Sequence, residues 1–210
     1  MSREAWGCPD ENHPHKIDLG LPSGTQWACC NVNAASPEGY GGYFAWGETS
    51  EKDVYNSTTY QHYCSNGITV DIELWDISGT IYDAATTKWG ASWRMPTEQQ
   101  YRELISNTTK KWTTLKGVNG WELTGANGHV VFFPAADVKL QGTNDYIGHL
   151  GSYWSSTIEK ADNHPHERYP ELYPDIFPDD CYSFDFNSMY LNIDYGIPHA
   201  GKSIRAISSE

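Results

Sequence analysis

The residues of this 210-residue chain best equipped for chemistry are its histidines, acids and cysteines. The string Asn-His-Pro-His occurs twice, at residues 12–15 and 163–166, and two imidazoles at i and i+2 can meet one metal ion. The same string also arises in ordinary polar loops, so it carries no metal assignment by itself. Asp175, Asp179 and Asp180 could offer oxygens to calcium, but they lack the spacing of an EF-hand loop and read as a solvated acidic loop. Five cysteines (Cys8, Cys29, Cys30, Cys64, Cys181) are an odd number without CxxC spacing. That excludes the usual zinc ribbons and leaves one bridge, two bridges or none equally open. Vicinal Cys29 and Cys30 read as a buried small pair rather than a redox centre. No GxGxxG follows a strand, and neither GxxxxGK[ST] nor HExxH occurs, so dinucleotide, P-loop and zincin chemistry have no support. The expectation is a chain with no catalytic residue, no metal and no cofactor.

The elements that must position these residues are short. Nine Trp and fourteen Tyr stand beside nineteen Gly and eleven Pro, a mix that predicts short strands, many turns and a core of large rings. The length suits one domain. A net charge of −13, with fourteen Lys and Arg spread over the chain, argues against nucleic acid and anionic membrane surfaces as partners. No run is long and apolar enough to span a membrane, and residues 1–16 show no signal peptide.

Residues 1–15 are expected to be a flexible arm, with the domain beginning at Lys16. Residues 17–33 read as a hairpin around Pro22-Ser-Gly. Residues 37–49 read as irregular core, and residues 50–80, polar and aperiodic, as a long surface excursion. Asn56-Ser-Thr and Asn107-Thr-Thr match the glycosylation sequon, which is weak evidence without a secretory context. Residues 82–89 fit a short helix. Residues 97–106 fit a better one, with capping-box spacing at Thr97 and Gln100 and an apolar face of Tyr101, Leu104 and Ile105. Residues 111–115, 120–124 and 129–134 follow as an antiparallel meander, with turns expected at 117–120 and 125–128.

Eight strings carry a resemblance: Asp18-Leu-Gly-Leu-Pro-Ser-Gly-Thr-Gln-Trp-Ala, Tyr43-Phe-Ala-Trp-Gly-Glu, Tyr82-Asp-Ala-Ala, Trp93-Arg-Met-Pro-Thr, Val118-Asn-Gly-Trp-Glu-Leu-Thr-Gly-Ala-Asn-Gly, Phe133-Pro-Ala-Ala, Tyr153-Trp-Ser-Ser-Thr and Gly201-Lys-Ser-Ile-Arg-Ala-Ile. In this order they resemble the bacterial family called the Fibrobacter succinogenes major paralogous domain, over residues 16–157 and 181–207. The resemblance implies an α+β, C-type-lectin-like fold, shared with formylglycine-generating enzymes, with short helices, small twisted antiparallel sheets and much irregular loop. It makes Trp93, Arg94, Trp154 and Arg205 scaffold residues. Formylglycine-generating relatives use two cysteines in their C-terminal region. Only Cys181 stands there, which argues against that activity. The chain departs from the family pattern at residues 158–180, where the usual link is much shorter.

Some proteins of this fold, the variable proteins of diversity-generating retroelements, form their binding face from a C-terminal region rewritten at adenines. AAC and AAT codons so mutated cannot give Glu, Lys, Gln, Trp or Met. Residues 161–200 hold three of these (Glu167, Glu171, Met189) in 40 positions, against 34 in the first 160. Either diversification or an ordinary Tyr/Pro/Asp-rich loop accounts for that deficit. Tyrosines with Asn, Asp, Ser and His form a palette suited to recognition. Resemblance and alternation together put Tyr182, Phe184, Phe186, Leu191 and Ile193 inward, Asp185, Tyr190, Asn192, Asp194 and Tyr195 outward, and residues 196–200 in a loop. The expected ligand-facing region is about residues 158–200, and its expected contacts are His164, His166, Tyr169, Tyr173, Asp185, Tyr190, Asn192, Asp194, Tyr195, Ile197 and His199. The implied partner is a protein or glycan on another cell or surface, met at a cell surface or on a phage particle. The competing expectation is a non-diversified bacterial surface or adhesion module.

Overall fold

The computed structural model describes residues 12–63, 70–159 and 180–208. They form an α+β arrangement of two short helices and three small antiparallel sheets. None of the described helices is long and apolar enough to cross a membrane.

The expected N-terminal hairpin is present as β1 (Lys16–Asp18) and β2 (Gln26–Ala28), closed by a turn in which Gly24 N–H donates to the Leu21 carbonyl at 2.9 Å. Its outer partner comes from the far end of the chain: β9 (Ile207–Ser208) pairs Ile207 with Trp27. The short helix is α1 (Ala84–Trp89), capped by buried Asp83. One Asp83 carboxylate oxygen accepts from the N–H groups of Ala85 and Thr86, the other from those of Gly79 and Met95. Helix α2 (Glu98–Asn107) carries the capping box that Thr97 and Gln100 predict. Tyr101 and Leu104 are buried on its inner face, each contributing about 1.5–3 kcal/mol through removal from water.

The meander is β3 (Thr109–Leu115), β4 (Val118–Thr124) and β5 (Val130–Pro134). Its first turn differs from expectation. The two residues between β3 and β4 are Lys116 and Gly117, both at positive φ (47° and 90°), the geometry of a primed hairpin turn. Asn119-Gly120, the stronger local turn signal, instead lies inside β4. A Cβ on Gly120 would stand 2.2 Å from the Phe133 carbonyl oxygen and 2.7 Å from the Phe132 ring, so glycine is there for close packing.

The third sheet is β6 (Leu150–Glu159), β7 (Asp180–Asn187) and β8 (Leu191–Gly196). Between Trp154 and Ile158 the register of β6 against β7 shifts. There β6 turns to other partners, with Ser156 N–H donating to Pro96 and Ser156 accepting from Ile77. The inner face of this sheet is an aromatic interlock: Tyr101 stacks on Phe184 at 4.9 Å, Tyr153 on Phe186 at 5.8 Å, and Phe133 meets Tyr153 and Phe184 edge-on. Gly151 makes room for it, since a Cβ there would lie 2.1 Å from Phe186.

Arg205 is fully buried, as its scaffold assignment requires. Its guanidinium donates to Asn31 Oδ1 (2.8 Å), the Ala28 carbonyl (3.1 Å) and the Phe132 carbonyl (2.7 Å) and lies 4.8 Å from the Phe133 ring centre. One cation thereby ties β2, the loop after it and β5 together. Trp154 is equally buried and donates its indole N–H to the Phe44 carbonyl at 2.8 Å.

The expected surface excursion over residues 50–80 is corrected by the structure. Tyr55, Tyr60, Ile72 and Ile77 are buried in the core. These anchors are too widely spaced to give a period, although they hold the segment down. Residues 12–15, the described part of the expected arm, are tied to the sheet through Cys29, whose N–H donates to the His15 carbonyl at 3.0 Å.

Candidate ligand-binding face

Strand pairing fixes which side chains share a face. Across β7 and β8, Phe184 opposes Ile193 and Phe186 opposes Leu191, while Asp185 opposes Asn192 and Ser183 opposes Asp194. The first pairs build the core. The second pairs, with Ser152 opposite Asp185 on β6, lie on the opposite, outer face, where Ser152, Trp154 and Ser183 are buried and Asn192 and Asp194 stand exposed on the edge strand β8.

Of the expected contacts, Asn192 and Asp194 are exposed and Asp185 is half-buried on this face. Tyr190 is exposed in the three-residue turn between β7 and β8, where Asn187 Oδ1 accepts from the N–H groups of Met189 and Tyr190. Met189 is the most exposed large apolar side chain among the described residues, at 91%, and sequence reasoning passed over it. Tyr195 is exposed, as expected, but opposes Tyr182 and therefore lies on the Phe184 side of the sheet. Its ring packs on that of Tyr182 at 4.9 Å, forming a rim rather than part of the outer face. Ile197 is half-buried against the core. His199, expected to meet ligand, is buried: its Nδ1 lies 2.7 Å from the Tyr63 hydroxyl. Burial, with Lys52 as a lesser cause, pushes its pKa down. His164, His166, Tyr169 and Tyr173 lie outside the described residues, as do Asp175 and Asp179 of the acidic trio.

Beneath the outer face sits a residue that no local sequence pattern singles out. Lys202 is buried, and its ammonium donates to Ser183 Oγ at 2.8 Å, lies 3.8 Å from Asp185 Oδ1 and stands 4.4 Å from the Trp154 ring centre. Ser152 donates to the same Asp185 oxygen at 2.6 Å. Asp185 is therefore held from two sides, and burial pushes the Lys202 pKa down while Asp185 opposes the shift. Gly196 lets the ammonium through, for a Cβ there would meet Lys202 Nζ at 2.3 Å. The result is a rigid polar floor carrying a fixed carboxylate, with exposed amide, carboxylate, thioether and phenol groups around it. Such an arrangement suits hydrogen-bonded recognition with aromatic contact area.

Cys181 is buried, which does not suit a nucleophile that must reach substrate. Elsewhere, the first Asn-His-Pro-His string brings His13 and His15 against Cys29, with Cys30 beside it. Comparison with protein-family models, with curated proteins and with solved structures finds no match in any of the three.

Proposed function

We propose that this chain is a ligand-binding protein with a C-type-lectin-like scaffold, of the receptor or adhesion type. Its binding surface is drawn from about residues 158–200, and among the described residues from Asn192 and Asp194 on β8 and the turn at 187–190. The observation that carries this reading is the contrast within one sheet: an aromatic interlock around Phe184 and Phe186 on one face, and on the other Asn192 and Asp194 exposed along the edge strand β8 beside the buried Lys202–Asp185 pair. The deficit of Glu, Lys, Gln, Trp and Met over residues 161–200 supports diversification of that surface. Burial of Cys181 supports binding over formylglycine-type catalysis. The second reading, a non-diversified surface module, draws on the same scaffold and differs only in whether the face varies.

The test is to probe the full chain against arrays of glycans and surface proteins, beside a variant carrying Asn192→Ala, Asp194→Ala and Tyr190→Ala. Binding that the triple variant loses without a change in melting temperature is the expected result. Binding that survives the triple substitution would place recognition elsewhere and contradict the assignment of this face.

A further inference from the structure

Four potential soft ligands converge where the first Asn-His-Pro-His string crosses the end of β2. His13 Nδ1 lies 3.1 Å from Cys29 Sγ, and His15 Nδ1 lies 3.8 Å from the same sulfur. The ligand atoms of His13, Cys29 and Cys30 all lie within 4.8 Å of one another. His15 also donates its backbone N–H to Cys29 Sγ at 3.1 Å, a contact that favours the thiolate, which is the metal-binding form of cysteine. Both cysteines are buried and both histidines half-buried. The site therefore has a dry side formed by sulfur and a more open side formed by imidazole.

We propose that His13, Cys29 and Cys30 bind a zinc ion, with His15 placed to complete the tetrahedron. Two thiolates and neutral imidazoles are a donor set that zinc prefers over calcium or magnesium, which take oxygen. In a tetrahedral site with Zn–S of about 2.3 Å, neighbouring ligand atoms stand about 3.8 Å apart. The ligand atoms of His13, Cys29 and Cys30 already lie within 4.8 Å of one another, and His15 Nδ1 stands 3.8 Å from Cys29 Sγ. On binding, each thiol gives up its proton to solvent, and the two thiolates balance the charge of the dication. That neutrality matters in a buried site, where an uncompensated charge is costly.

The i, i+2 spacing of His13 and His15 hints at a metal, but nothing in the sequence joins them to Cys29 and Cys30. His13 and Cys29 are sixteen residues apart, and the sulfurs belong to adjacent residues rather than to a CxxC knuckle. Its consequence is structural. The ion would clasp residues 12–15 to β2, the strand whose Ala28 carbonyl receives Arg205 and whose Trp27 pairs with Ile207. The start of the domain and the closing strand β9 would then be stabilised together.

The experiment uses the full chain, purified without chelator, with zinc measured by mass spectrometry and apo protein titrated with cobalt(II) as a spectroscopic stand-in. The expected result is about one zinc per chain, thiolate-to-cobalt charge-transfer bands with tetrahedral d–d bands, and X-ray absorption showing two sulfurs at about 2.3 Å with nitrogens at about 2.0 Å. His13→Ala and Cys29→Ser should each weaken zinc binding more than about tenfold, while His149→Ala, in the turn before β6, should leave it unchanged. Should the variants fail to fold, wild-type protein decides alone, by a chelator-induced fall in melting temperature that added zinc reverses. No zinc in the wild-type protein together with an octahedral, thiolate-free cobalt spectrum would overturn the proposal. So would peptide mapping that finds Cys29 joined to Cys30 by a disulfide in place of a metal.

Discussion

The two faces of the β6–β7–β8 sheet are made by alternate residues of the same strands, yet they are built on opposite rules. On the inner face the rings constrain one another: Phe184 touches Tyr101, Phe133 and Phe186, and Gly151 is the space that Phe186 fills. On the outer face the constraints lie in a second layer. Lys202 and Ser152 hold Asp185, and above them Asn192 and Asp194 stand exposed. A surface meant for recognition gains from that division, because side chains can change above a floor that does not move.

The comparison is broken most severely from the inside. Phe184→Ala should destabilise the protein by about 3–5 kcal/mol, the usual cost of emptying a buried ring site, measured by chemical denaturation. Gly151→Ala should cost about 1–3 kcal/mol through overpacking against Phe186, so a methyl group added here would rival a large deletion elsewhere. Lys202→Ala tests the floor itself. It leaves Asp185 without its cation and Ser183 without its donor, and should cost about 1–3 kcal/mol.

A smaller and pH-dependent effect belongs to His199, at the edge where the floor meets the loop at 197–200. Its folded pKa lies below the usual 6.5, so the unfolded chain binds more protons in the window between the two values. Stability contributed by neutral His199 is therefore present above pH 6.5 and is lost as pH falls through that window. His199→Gln should flatten this part of the stability profile, and an unchanged profile would remove the assignment. The smallest effect is expected on the outer face. Asn192→Ala and Asp194→Ala should each fall within about 0.5 kcal/mol of wild type, and a large loss from either would erase the distinction between faces.

How much of this was legible beforehand follows from the range over which each residue acts. The capping box of α2 needs only Thr97 and Gln100, so local reading suffices there, and the inward set Phe184, Phe186 and Ile193 follows from alternation taken together with the resemblance. The turn at Lys116-Gly117 was missed because Asn119-Gly120 is the louder local signal, and only the pressure of β5 explains why that glycine sits in a strand. Tyr60 and Ile72 were assigned to the surface because buried anchors separated by polar residues leave no period. Tyr195 went to the wrong face through a change of parity after Asp194, which cross-strand pairing with Tyr182 reveals and a single strand does not. His199 and Lys202 depend on partners far away in sequence, Tyr63 for the first and Ser183 and Asp185 for the second, and no pattern within 197–203 encodes them.

The central claim is that the outer face and the segment leading into it form a binding surface that changes while its scaffold stays fixed. Its most direct test is to sequence this locus in closely related isolates and compare codons at 158–200 with those upstream. The account predicts substitutions concentrated at residues such as Tyr190, Asn192 and Asp194, at positions that read AAC or AAT in a nearby template repeat, with Phe184, Phe186 and Gly151 unchanged. Substitutions spread evenly along the chain, or an outer face as invariant as the inner one, would contradict it.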